Sequence, residues 1–301
     1  MAISEQLLED TIFRLVKKAS IELPVDVQNA LKSGYAREES PVAKGQLGAI
    51  LDNCRIAVEK QVGLCQDTGM PMFYADLGLN CRLEGDLMQA AERALIRATA
   101  EVPLRPNVIN PLTKQNSGTN TGWGIPYIHW EMISGSDYLD LTAVPKGFGS
   151  ETRASQCWIL SSEDVGRAAV KAVLDIAEDS MGEPCPPVII GICIGGFADS
   201  SMVLAKKALF RTPIGKHNPD PTVAALETEI FEAVNAMGLG PMGLGGKTYA
   251  LGVHAEMSGS HTAVAPVSVV FQCWACRYSK ARIHSDGRVE YITHPEEDRV
   301  R

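Results

Sequence analysis

The sequence predicts an α/β fold, rich in helix and built around mixed β-sheet, on three observations. Long segments carry apolar residues at helical spacing, short β-branched runs at 188–194 and 264–272 alternate with them, and glycine-rich polar loops separate the two kinds. With 301 residues, 45% hydrophobic and 21% charged, the chain has the length and balance for a large folded core. It reads as a single domain over residues 1–301, with two lobes dividing near 155–185.

Residues 5–32 place Leu8, Ile12, Leu15 and Val16 at helical spacing, with Pro24 ending one helix and Val25 opening another. Residues 42–60 repeat the pattern, so the stretch Val62-Gly63-Leu64-Cys65-Gln66-Asp67-Thr68-Gly69 follows a helix C-terminus. A strand is expected over 70–77 and a helix over 85–102, built on Leu87, Ala91, Leu95 and Ala98. Pro103-Leu104-Arg105-Pro106-Asn107 then begins a polar loop of roughly 20 residues, a length more typical of functional or mobile segments than of filler.

Residues 127–133 and 137–144 read as two strands joined as a hairpin by Ser134-Gly135-Ser136. They lead into Pro145-Lys146-Gly147-Phe148-Gly149-Ser150-Glu151-Thr152, where backbone N–H groups and a lysine suit a carboxylate. Ser161-Ser162-Glu163-Asp164 has the pattern of a helix cap, with 168–176 as the apolar body. Cys185 stands between prolines ahead of the buried strand 188–194, and Gly195-Gly196 leads to a helix over 199–210. A helix over 222–237 precedes a glycine-rich segment ending in Lys247-Thr248. That segment is not a nucleotide loop, because Pro241 stands where the motif needs glycine and a helix rather than a strand leads in. Strands follow over 248–256 and 264–272, with His254 and His261 at or between them, then a hairpin turn over 283–289 and a charged tail.

A formal net charge of −8 argues against nucleic acid as the main partner, since phosphate binding needs a basic face. No apolar run reaches the ~18 residues of a membrane span. The first helix carries Glu and Lys rather than the pattern of a signal peptide, so a cytoplasmic protein is expected. Eight widely spaced cysteines in such a chain point to thiols or metal ligands rather than disulfides.

Taken singly, the candidate residues are ambiguous. Cys65 with Gln66, Asp67 and Thr68 fits a soft metal ligand beside substrate-orienting groups, and equally a buried cysteine before an Asp-Thr-Gly turn. Arg105 alone reads as a surface arginine. Cys273-Trp274-Ala275-Cys276 is a weak signal for zinc or redox chemistry, lacking a second close pair.

Taken in order, seven markers are more specific. Cys-Gln-Asp-Thr-Gly at Cys65, Leu-Arg-Pro-Asn at Arg105, Lys-Gly-x-Gly-Ser-Glu at Lys146, Cys-Pro-Pro at Cys185, Gly-Leu-Gly-Gly at Gly243, Gly-Val-His at Gly252 and His261 twelve residues before Cys273 cover most of the chain. Together they resemble the α subunit of the class I iron–sulfur hydro-lyases, the fumarases and L-tartrate dehydratases. The resemblance implies a fold of the class I fumarase N-terminal (α) domain type. It also implies a [4Fe–4S] cluster held by Cys65, Cys185 and Cys273, with Cys276 as rival for the third place and one iron left open to act as Lewis acid.

The reaction so implied is reversible hydration of fumarate to (S)-malate, with L(+)-tartrate dehydration to oxaloacetate as the alternative. Arg105 would clamp a carboxylate, Gln66 and Asp67 would orient groups, backbone N–H groups of Gly147 and Gly149 would assist, and His261 would hydrogen-bond the substrate or move a proton. The base at carbon would come from a separately encoded β subunit, in an α₂β₂ assembly. Phe148 and Thr152 depart from the fumarase-type pattern, which bears on the substrate. A reading from another class is a cluster-bearing electron-transfer or iron-sensing protein, which shares the thiolates but has no need of Arg105 or His261.

Overall fold

The computed structural model describes residues 2–294; the charged tail expected from the sequence lies outside them. The chain opens with β1 (Ile3–Ser4), α1 (Glu5–Ile21), α2 (Val25–Arg37) and α3 (Pro41–Lys60), then β2 (Met70–Gly78), β3 (Leu83–Glu84) and α4 (Leu87–Glu101). Next come β4 (Tyr127–Ile133), β5 (Tyr138–Lys146), the single turn α5 (Gly149–Thr152), β6 (Ser155–Ser161), α6 (Val165–Ser180), β7 (Val188–Ile194), α7 (Ala198–Ala208) and α8 (Pro221–Ala236). It continues with β8 (Ala250–Met257), β9 (Val264–Gln272), β10 (Ser279–His284) and β11 (Val289–Tyr291). The fold is α/β with mixed sheets. It forms two compact units, neither continuous in sequence: Met1–Val25, Asn53–Gly147 and Arg277–Arg301 make the first, Asp26–Asp52 and Phe148–Cys276 the second.

In the first unit a five-stranded sheet runs β11-β10-β5-β2-β4. Ser4 caps α1 by accepting the Leu7 N–H, and Asp86 caps α4 by accepting those of Met88 and Gln89. The apolar stripes of both helices, with Leu8, Ile12, Leu15, Ala91, Leu95 and Ala98 buried, pack with Phe73, Ala75, Leu139 and Leu141 of the sheet. Each fully buried Leu or Ile contributes about 1.5–3 kcal/mol. β4 and β5 are not a hairpin. β2 lies between them, parallel to β4 and antiparallel to β5, so the four-residue link 134–137 steps over one strand instead of turning into its neighbour. The expected C-terminal turn is present, with β10 and β11 antiparallel.

The second unit holds a four-stranded sheet, β6-β9-β7-β8, in which β7 runs parallel to β8 and antiparallel to β9. β7 is apolar on both faces because helices cover both. Val188, Ile190 and Ile192 enter a core with α6 and α8, while α7 lies on the other face, its Ser201 Oγ donating to the Cys193 carbonyl at 3.4 Å. Ser161 does not cap a helix. It ends β6, which pairs with β9 from Ser155↔Val270 to Ser161↔Val264, and α6 begins only after Asp164, at φ +52 and without a side-chain cap.

The glycine-rich segment before β8 is held by an internal carboxylate. Glu38, 2% exposed, accepts the N–H groups of Lys247 at 2.9 Å and Thr248 at 3.1 Å on one oxygen, and those of Glu39 and Ser40 on the other. Backbone donors that a nucleotide loop would aim at phosphate are thus committed inside the fold. No helix among the described residues is long and apolar enough to cross a membrane.

Candidate active site

Cys65 sits in the bend between α3 and β2, half-buried, and the chain on either side of it is fastened. Leu64 donates its N–H to the Ser20 carbonyl at 3.0 Å and accepts from the Asn53 amide at 2.8 Å. Beyond the cysteine, Asp67 Oδ1 accepts the Gly69 N–H at 3.0 Å, closing an Asx turn. Thr68, 4% exposed, accepts the Arg105 N–H at 2.9 Å. Asn107 reaches back with its side-chain amide to Asp67 Oδ1 at 3.4 Å, Thr68 Oγ1 at 3.3 Å and the Gly69 carbonyl at 3.0 Å. The first unit therefore brings the Leu-Arg-Pro-Asn marker against the Cys-Gln-Asp-Thr-Gly marker.

The polar loop contributes to the same arrangement. Asn120, 3% exposed, accepts the Asn107 N–H at 2.7 Å and donates to the Arg105 carbonyl at 3.0 Å. The backbone of Arg105 is thus held on both sides while its side chain is exposed, as is that of Gln66. A fixed stem with an exposed guanidinium suits capture of an anion from solvent. Asn107 and Asn120 were not singled out from the sequence, although Asn107 lies inside a marker already quoted.

Asp67 and Gly147 also meet. A Cβ added at Gly147 would stand 3.2 Å from Asp67 Oδ2 and 3.1 Å from Arg277 Nη2. Arg277 is 1% exposed and donates through Nη1 to the Asp67 carbonyl at 2.7 Å; its Nε is buried with no partner among the described residues. Lys146, 3% exposed, donates to the Gly147 carbonyl at 3.2 Å. Arg277 was not singled out from the sequence, although it directly follows the Cys273–Cys276 pair, because its partner lies 210 residues away.

In the second unit the loops of Cys185 and Cys273 are joined by the Trp274 N–H, which donates to the Cys185 carbonyl at 3.1 Å. Both cysteines are half-buried. Cys185 itself has φ +54, a conformation uncommon outside glycine and asparagine. Its loop rests on the Gly-Leu-Gly-Gly marker: a Cβ at Gly243, φ +70, would come within 2.7 Å of the Gly182 nitrogen. Gly149 lies beside the same loop, its Cβ position 3.3 Å from the Glu183 carbonyl. Phe148 is 49% exposed, and the Thr152 hydroxyl donates to the Phe148 carbonyl at 2.9 Å.

His261 lies in the exposed loop between β8 and β9, its Nδ1 accepting the Ala263 N–H at 3.2 Å. Among the described residues no hydrogen bond joins it to the cysteine loops. His254, the histidine of the Gly-Val-His marker, is structural. It is fully buried between the Gly215 N–H, which donates to Nε2 at 3.0 Å, and the Ala208 carbonyl, 2.9 Å from Nδ1. Those partners require the neutral Nδ1–H tautomer, and burial pushes its pKa down to about 4.

The thiols divide by environment. None is in a disulfide. Burial pushes Cys54 and Cys193 up to about 11 and raises Cys81, which disfavours the thiolate a metal needs. Cys276 is fully buried, whereas Cys65, Cys185 and Cys273 are half-buried on loops. Among the described residues no three His, Cys, Asp or Glu side chains converge as a mononuclear metal site would require. An iron–sulfur cluster draws on thiolates, each on a different iron, rather than on a mixed His, Asp and Glu set. Three half-buried thiols on loops are a soft donor set of the kind iron–sulfur chemistry uses.

The family described as Fumarate hydratase (Fumerase) matches residues 9–282. The chain belongs to the fumarate hydratase family. As a member of that family it is a hydro-lyase. A Methanocaldococcus jannaschii protein provisionally named L(+)-tartrate dehydratase subunit alpha is 42% identical over 286 residues, 94% of this chain and 99% of that protein. The L(+)-tartrate dehydratase subunits alpha of Escherichia coli K12 and Shigella boydii are each 31% identical over 287 residues, 95% of this chain and 94% of theirs.

Proposed function

We propose that this fumarate hydratase family member is the α subunit of a two-subunit enzyme that reversibly hydrates a small dicarboxylate, fumarate to (S)-malate. The observation that carries the reading is the fastening of the Cys65 turn to the Arg105 backbone through Thr68 and Asn107, which ties a thiol, a carboxylate and an exposed guanidinium into one rigid piece. Cys65, Cys185 and Cys273 would hold a [4Fe–4S] cluster; when bound, it supplies a Lewis acid that helps hydroxide leave. Arg105 then binds one carboxylate in two-point fashion, and Gln66 and the Asp67 carboxylate orient the substrate's polar groups. Backbone N–H groups of Gly147 and Gly149 add donors for developing negative charge, and His261 holds or moves the proton of the departing oxygen.

A dicarboxylate also needs its second carboxylate held and a proton taken from carbon. The relatives named as alpha subunits support a separate companion chain; in this proposal that β chain supplies both groups, in an α₂β₂ assembly. Their names likewise favour a second reading of the substrate, L(+)-tartrate to oxaloacetate. The test is an anaerobic assay of the iron- and sulfide-reconstituted chain, with and without the companion chain, on (S)-malate and on L(+)-tartrate. Turnover of malate only with the companion chain is expected. Preference for tartrate would select the second reading, and full turnover by this chain alone would refute the division of labour.

A further inference from the structure

Among the described residues Arg277 is the largest fully buried side chain, and the reaction proposed for the site leaves it unused. A guanidinium cannot shed its charge, so burying one is costly unless it does something for the groups around it. Here it lies against two residues of the candidate site. Nη1 donates to the Asp67 carbonyl at 2.7 Å, and Nη2 lies 3.1 Å from the point a Gly147 Cβ would occupy, on the side where Asp67 Oδ2 stands at 3.2 Å. The absence of a side chain at Gly147 is what leaves room for both groups.

The other anchors of the Cys65 turn act on its flanks: Ser20 and Asn53 on Leu64, and Asn107 and Arg105 on Asp67, Thr68 and Gly69. The carbonyl of Asp67 is held by Arg277. We infer that Arg277 is a positioning residue whose guanidinium, by holding that carbonyl beside the open face of Gly147, sets the register of the Cys65–Gly69 turn and so the stance of the Asp67 side chain. The Asp67 carbonyl and the Asx turn from Asp67 to Gly69 belong to one peptide stretch. Releasing the carbonyl lets the turn rotate, and the Gly69 and Arg105 amides lose the acceptors that shelter them. The inference rests on the Cys65 turn being part of the active site, but its first test requires neither cluster nor substrate.

Amide hydrogen exchange at single-residue resolution is measured on the full-length chain, native and with Arg277→Lys, Arg277→Gln and Gly147→Ala. Arg277→Gln is expected to speed exchange at Gly69 and Arg105 about tenfold, the lower end for losing a hydrogen bond to a charged group, and to leave the central amides of β2 and β5 unchanged. Arg277→Lys is expected to fall between, and guanidinium ion at sub-denaturing concentration to restore protection in Arg277→Gln. Gly147→Ala presses on the same contact from the other side and is expected to expose the same two amides; it carries the test if Arg277→Gln does not fold. Unchanged exchange at Gly69 and Arg105, or equal loss of protection throughout β2 and β5, overturns the inference. In the assembled enzyme a lowered kcat with KM held is expected of a residue that does not touch substrate. A raised KM at unchanged kcat overturns it from the other direction.

Discussion

Replacing Glu38 by glutamine tests whether the carboxylate between α2 and α3 holds the glycine-rich segment of the second unit. In the native chain Oε1 accepts the N–H groups of Glu39 at 3.0 Å and Ser40 at 3.2 Å, while Oε2 accepts those of Lys247 at 2.9 Å and Thr248 at 3.1 Å. Glutamine keeps one acceptor oxygen and turns an NH₂ toward the other pair, so two bonds to a charged acceptor are lost. At ~1.5–3 kcal/mol each, the loss is ~3–6 kcal/mol. With about 2 °C per kcal/mol in a chain of this size, the calorimetric midpoint near neutral pH is expected to fall by at least ~6 °C.

The pH dependence has a defined sign. Burial by itself raises the Glu38 carboxyl, but the four N–H bonds outweigh it and hold the pKa below the ordinary value of 4.5. With the folded value below the unfolded one, the stabilisation is complete above pH 4.5 and drains away as pH falls through the folded value. The gap between the native chain and Glu38→Gln is therefore constant around neutrality and narrows in acid. A midpoint difference under about 2 °C near neutral pH, or a gap that does not close in acid, refutes the reasoning.

Three further outcomes are expected. Serine at Cys65, Cys185 or Cys273 removes the brown chromophore and turnover together, whereas Cys276→Ser, at a fully buried position, keeps both; iron and sulfide analysis after anaerobic reconstitution checks this. Arg105→Lys keeps the charge but loses the planar two-point contact, lowering kcat/KM at least ~10-fold with cluster content unchanged, as steady-state kinetics and iron analysis will show. His261→Asn, on an exposed loop, keeps the cluster and loses turnover; a variant with native kcat would remove His261 from the reaction.

Most of the fold is legible in local pattern, and its failures share a cause. Helical periodicity places α1, α4 and α8 within a few residues of where they stand, because each buries a single apolar stripe. The strand β6, Ser155–Ser161, is missed because it starts with Ser-Gln and ends on a serine that, with Ser162, Glu163 and Asp164, imitates a cap; Ser162 Oγ instead donates to the Thr262 carbonyl at 2.7 Å, a partner 100 residues away. The supposed hairpin fails likewise, since a short link states how far the chain can reach but not which strand has come between. The marker residues of the candidate site are legible as a set, whereas Asn120 and Arg277 at the site and Glu38 under the glycine-rich segment are not. They act on partners up to 210 residues away, and a residue's own neighbours in sequence carry no trace of such a contact.

Strand order has a consequence for how the protein is made. β9 pairs with β6, whose residues were synthesised 103 to 115 positions earlier, and it alone joins β6 to β7; β10 pairs with β5 across 136 to 146 positions and carries β11 with it. Neither sheet can close as the chain emerges. β6 in particular waits with an unpaired ladder edge through the synthesis of α6, β7, α7, α8 and β8. Vectorial folding is therefore deferred rather than progressive, and both units reach their final pairing in the same late window. In that interval the strand edges that β9 and β10 will cover are open to pairing with other chains.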